Sequence, residues 1–156
     1  MITTYEKLYL FDNIASKFLE KNKATDTKFH YALKKFAKQI AKKITEHRDE
    51  FLDKSTDIAM KYASVDKDNN ILWEKIDTKD REGNILSQNS TIPMFTKDSF
   101  LKKEKEIKSL EKELLKKTVE VEPYFATETP SNLTDLELEA FEGFVIRIDE
   151  VVEEVK

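Results

Sequence analysis

Asp66, Asp68 and Asn70 stand two residues apart, at the first, third and fifth places of a helix-flanked calcium loop. The sixth place, which needs glycine for its sharp turn, is Ile71, and the twelfth is Asp77 where a bidentate glutamate is usual. A strand-like pattern follows in place of a second helix, so the residues read as an acidic turn. His47 and Glu50 are three apart, with Glu46 adjacent, so one helix face could offer an imidazole and carboxylates to a metal. A helical di-metal centre needs two such units and two further glutamates from facing helices. The only other histidine is His30, about 100° away around the same helix. His47 falls on an apolar stripe and is expected as a structural histidine. There is no cysteine and no Gly-x-Ser-x-Gly, so nucleophilic catalysis has no foothold. Gly83 and Gly143 are too far apart to cradle a phosphate. No enzyme, cofactor, metal or small-molecule substrate is expected.

What remains is charge. Lys28, Lys34, Lys35, Lys38, Lys42 and Lys43 fall in one stretch without a single acid. They are the candidate interaction residues. Such a run reads first as a solvated helix face, and second as a dock for an acidic partner or segment. Nucleic acid is a further candidate, because Phe29, Tyr31 and Phe36 lie nearby. Lysine contacts alone would give weak, salt-sensitive, sequence-independent binding. The net charge is −4 and the only arginines are Arg48, Arg81 and Arg147, which weakens any phosphate-recognition reading. From Val119 to the end there are two basic and eleven acidic residues, so this segment is expected near the lysine face.

These lysines must be positioned by a long helix, from Thr27 to about Ser64. Phe29, Leu33, Phe36, Ile40, Ile44, Phe51, Ile58 and Tyr62 recur at steps of three and four, with His47 and Ser55 completing the stripe. No glycine or proline interrupts it. Acids dominate its second half, against the usual macrodipole preference. Before it, Thr3 and Glu6 read as a capping box for a helix over about 3–21, with Leu8, Phe11, Ala15, Phe18 and Leu19 inward. After it, Val65 to Asn70 is a turn. Ile71 to Ile76 and Asn84 to Ser87 predict a β-hairpin over about 71–88, followed by a loop to Thr96. Asp98 or Thr96 caps a third helix over about 98–117, with Phe100, Leu101, Ile107, Leu110, Leu114 and Leu115 as its apolar positions. Thr118 to Glu122 alternates like a strand and stops at Pro123. Thr134 and Glu137 form a second capping box, opening a short helix that ends near Gly143. Residues 144–156 fit a strand, a helix or a disordered end alike.

The fold expected is mainly α with a small β component. An antiparallel helical layer surrounds one long central helix, with a β-hairpin and a short C-terminal strand and helix. A chain of 156 residues with 39% hydrophobic and 37% charged residues suggests a single domain, 1–156, lean in core. No apolar run reaches the roughly 18–20 residues of a membrane span, and the N-terminus has no signal-peptide pattern.

Tyr31-Ala32-Leu33-Lys34-Lys35-Phe36-Ala37-Lys38, followed by Glu46 to Tyr62, resembles the helix of a family of small uncharacterised phage proteins. In that family an acidic turn, a short hairpin, a Lys/Glu-rich helix, a Val-Glu-Val-Glu strand and a leucine-rich segment follow. Here these are the turn at Asp66, the hairpin, Lys102 to Lys117, Val119 to Glu122, and Leu133 to Phe141. The resemblance implies a phage-encoded protein acting through contacts with protein partners or with itself. Its expected role is a virion structural or assembly component, or an inhibitor of a host factor or host defence, in the virion or the host cytoplasm. It implies no activity and no site residues.

Overall fold

The computed structural model describes residues 1–22 and 27–148. Its elements are β1 (Ile2–Thr4), α1 (Tyr5–Lys21), α2 (Lys28–Tyr62), β2 (Trp73–Lys79), β3 (Ile85–Pro93), α3 (Lys97–Lys116), β4 (Thr118–Glu120) and α4 (Asp135–Phe141). The chain is therefore mainly α with a small β component. α2 is one unbroken helix of 35 residues, roughly 50 Å at 1.5 Å per residue. The chain gathers into two compact units: Met1–Arg48 with Leu114–Lys156, and Asp49–Glu113.

The first unit holds the core. α1 contributes Leu8, Phe11, Ile14, Ala15 and Phe18 to it, and α2 contributes Phe29, Ala32, Leu33, Phe36, Ile40 and Ile44. The steps of three and four on both helices bring these stripes together. Phe141, Phe144 and Val145 close the core from the other end of the chain. Phe36 stacks on Phe144 at 4.9 Å, and Phe11 meets Phe36 edge-on at 4.9 Å. Aromatic pairs in these geometries add to the burial of their large surfaces.

Four local expectations are revised. Thr3 does not cap α1: it is buried in β1, opposite Val119 of β4. Thr4 is the N-cap, its hydroxyl accepting from the Lys7 amide at 3.4 Å. Both threonines can cap, and strand pairing with β4 claims the first. β4 ends at Glu120, two residues short of the alternating stretch. The Val121 amide instead donates to the Met1 carbonyl at 2.9 Å, continuing the exchange past the strand. Residues 144–148 are neither strand nor helix. The amides of Phe144, Val145 and Ile146 turn back to the Phe141 carbonyl, and the Phe144 and Val145 carbonyls accept from Tyr124 and Ala126. Residues 149–156, the remainder of that ambiguous stretch, lie outside the described residues. The fourth revision concerns β3, below. The capping box at Thr134 and Glu137 forms as its spacing requires, with both reciprocal bonds present.

The second unit is built on the remainder of α2, a small meander and most of α3. The Leu72 amide donates to the Ser64 carbonyl, the Ser64 amide to Met94, and the Met94 amide to Leu72, each within 2.9 Å. The hairpin is longer than expected because β3 runs on to Pro93, opposite Trp73. Thr91 and Ile92 are β-branched and extend the ladder, and Pro93, which has no amide hydrogen to donate, is its last residue, with the Met94 amide carrying one more bond across to Leu72. Thr96, not Asp98, caps α3: its hydroxyl accepts from the Ser99 amide at 3.1 Å.

Candidate interaction surfaces

α2 carries all six candidate lysines within the first unit. Lys28, Lys34, Lys35, Lys38 and Lys42 are exposed and Lys43 is half-buried. The chain covers part of this face itself. The Gln39 side chain clasps the backbone of Glu122, donating to its carbonyl and accepting from its amide, both at 2.7 Å. That clasp lays the segment after β4 along α2. Lys35 Nζ then sits 4.8 Å from the centre of the Tyr124 ring, and Lys28 Nζ stands 3.9 Å from Glu128. Lys42 faces Glu46 at 3.9 Å. These pairs are exposed and long, so each adds little stability. Among the described residues Lys34, Lys38 and Lys43 have no acidic partner within 4.0 Å.

His47 is buried and fully engaged. Its Nε2 is 2.8 Å from the Leu114 carbonyl oxygen and its Nδ1 is 2.7 Å from the Tyr9 hydroxyl. Tyr5 stacks on its ring at 4.0 Å. A carbonyl can only accept, so Nε2 carries the proton and Nδ1 accepts from Tyr9. Burial raises the Tyr9 pKa above the ordinary phenol value, which keeps this hydroxyl protonated. His30 sits at the start of α2, where Thr27 Oγ1 accepts from the His30 amide at 3.2 Å and meets its Nδ1 at 2.7 Å. Both histidines serve helix positioning. Among the described residues no three His, Cys, Asp or Glu converge as metal ligands.

The acidic turn explains its own carboxylate. Asp66 Oδ1 accepts from the amides of Asp68 and Asn70, each at 2.9 Å. Asp80 repeats the device, accepting from Glu82 and Asn84 at 2.9 Å. Hydrogen bonds from backbone amides hold both carboxyls below the usual carboxylate range. Each carboxylate is committed to shaping a turn.

The least expected surface lies in the second unit. No side chain described between Asp49 and Glu113 is buried. Leu52, Trp73, Leu86, Phe100 and Leu101 are all exposed, Leu86 by 66% and Leu52 by 61%. An open groove of about 600 Å³ is lined by Ala59, Ile92, Pro93, Phe95, Phe100 and Lys103, among others. Lys103 Nζ lies 4.4 Å from the Phe100 ring centre and 4.6 Å from that of Phe95. Of the apolar positions expected on α3, only Leu114 is buried. The sequence held one signal of this. Leu101 falls opposite Leu110 around the helix, at about 100° per residue, so one core cannot take both.

Comparison with protein-family models, with curated proteins and with solved structures finds no match to this chain.

Proposed function

We propose that this chain is a non-enzymatic, phage-type protein–protein interaction protein, a virion structural or assembly component. The observation that carries the reading is the second unit: it presents large apolar side chains and buries none that is described. Within it, Ala59, Ile92, Pro93, Phe95 and Phe100 line one open groove together with Lys97 and Lys103, and an exposed apolar groove of this kind is the usual mark of a protein docking site. Inhibition of a host factor or host defence would use the same surface and differs only in the partner.

Light scattering over a range of concentrations, with a pull-down from infected cells, tests this. Association or capture that is lost in the Trp73→Ser/Phe100→Ser variant supports it. A monomer at every concentration that captures nothing overturns it.

A second reading has its own observation. Lys34, Lys38 and Lys43 are without acidic partners among the described residues. They support weak, sequence-independent nucleic-acid association. DNA or RNA binding that falls steeply with salt and drops in Lys34→Glu/Lys38→Glu supports this second reading. No binding at low salt removes it.

A further inference from the structure

Two charged ridges in the second unit fit each other across a two-fold axis. On α2, Asp49, Asp53 and Asp57 stand at i, i+4 and i+8, all exposed, with Leu52 beside the row. On α3, Lys105, Lys108 and Lys112 are exposed on one face, with Leu101 one turn before Lys105. None of these six charges has an opposite partner within 4.0 Å among the described residues. Neighbouring charges do pair: Lys54 with Glu50 at 3.0 Å, and Lys102 with Asp98 at 3.1 Å. Like charges one turn apart destabilise a helix unless something opposite faces them.

The ridges share a side of the unit. Lys61 on α2 donates to Glu106 on α3 at 2.7 Å, which marks where the two helices meet. Asp57 is one turn before Lys61, and the acidic row drifts away from that contact toward Asp49. Lys105, Lys108 and Lys112 are turned about 100–160° from Glu106, at 100° per residue. The Ser64 amide on the Met94 carbonyl sets the end of α2 beside the start of α3, and Lys61 reaches Glu106 further along it, so the two helices run in opposite directions and both offsets lead to the same outer face. The rows also match in length, eight residues on α2 against seven on α3, or roughly 10–12 Å each at 1.5 Å per residue.

We infer that this face pairs with a second copy of the same chain, each α2 acidic ridge lying on the partner's α3 lysine ridge. This deepens the interaction reading above and rests on it. A two-fold contact is self-complementary, so a surface that carries both signs side by side satisfies every ridge at once. The axis runs along the helices, because an axis across them would set aspartates against aspartates. Leu52 and Leu101, 61% and 59% exposed, supply the apolar part. Charge complementarity fixes the register and the partner.

Sedimentation and light scattering on the full chain test this with three variants. Asp53→Lys/Asp57→Lys and Lys105→Glu/Lys108→Glu should each weaken dimerisation about tenfold or more. Mixing the two should restore association, as a heterodimer, and so should one chain carrying all four changes. Unchanged circular dichroism shows that each variant folds. A wild-type dimer indifferent to both reversals overturns the ridge pairing. A wild-type monomer that still captures a partner through Trp73 and Phe100 overturns self-pairing alone. A monomer that captures nothing overturns the interaction reading with it.

Discussion

The Tyr9 hydroxyl lies 2.7 Å from His47 Nδ1, on the far side of the ring from the bond that His47 makes to the Leu114 carbonyl. One imidazole thereby fastens α1, α2 and the end of α3 in the first unit. Leu114 is buried, and its carbonyl sits where α3 gives way to β4. His47→Phe keeps the stack on Tyr5 and removes both imidazole bonds, while the Leu114 carbonyl still accepts from the Lys117 amide at 3.2 Å and the half-buried Tyr9 hydroxyl keeps Arg48 beside it. A net hydrogen bond contributes about 0.5–1.5 kcal/mol, so a loss of about 1–2 kcal/mol is expected by urea unfolding. A loss below about 0.5 kcal/mol would mean that solvent reaches both groups.

Acid should loosen the two aspartate turns. Asp66 and Asp80 accept backbone amides only as carboxylates at full strength, and their pKa values are lowered in the folded chain. A lowered folded-state pKa adds stability above the unfolded-state pKa. That stability fades as the pH falls through the ordinary carboxylate range and is gone below the depressed folded value. Asp66→Asn/Asp80→Asn keeps an oxygen acceptor at each turn and removes the charge. The difference in Tm between wild type and this variant should therefore shrink as the pH is lowered. A difference that is constant with pH would show that the charge contributes nothing.

Phe36 and Phe100 look alike in the sequence, each an aromatic residue on a charged helix, and they should behave differently. Phe36 is fully buried against Phe11 and Phe144. Phe36→Ala should cost about 3–5 kcal/mol by urea unfolding. Phe100 is 45% exposed and touches only Phe95 and Lys103 among the described rings and cations, so Phe100→Ser should cost the monomer less, about 1–2 kcal/mol. Its main effect belongs in association. An equal loss for both would mean that the second unit hides a core of its own.

What could be read from residues alone follows from how local each signal is. The unbroken α2 was legible because Phe29 through Tyr62 keep one period with no glycine or proline. The cap at Thr134 was legible because Thr134 and Glu137 fix it between them. β1 was not: Ile2, Thr3 and Thr4 become a strand only because Thr118 to Glu120, over a hundred residues away, supplies the other half of the ladder. Nor was the exposure of Leu52 and Leu101. Periodicity shows which face of a helix is apolar, and only the number of neighbours decides whether that face is covered. The lysines of α2 were found as a face, but the clasp of Gln39 on Glu122, which covers part of it, depends on a contact between distant residues.

Gly83 and Asn69 occupy the same place in two copies of one turn. Asp66 to Asn70 and Asp80 to Asn84 share a first-residue carboxylate that takes two amides, an amide-to-carbonyl bond closing the loop, and a left-handed fourth residue. That residue is Asn69 at φ 68° in the first turn and Gly83 at φ 87° in the second. A Cβ added at Gly83 would meet nothing within 4 Å, so only the backbone conformation penalises substitution. Asparagine tolerates this region, as Asn69 shows, and β-branched residues do not. Gly83→Asn should therefore cost less than about 1 kcal/mol, and Gly83→Val about 1–3 kcal/mol, by urea unfolding. Equal losses would mean that the second turn depends on something other than its left-handed residue. A larger loss for Gly83→Asn than for Gly83→Val would show that the two turns are not equivalent.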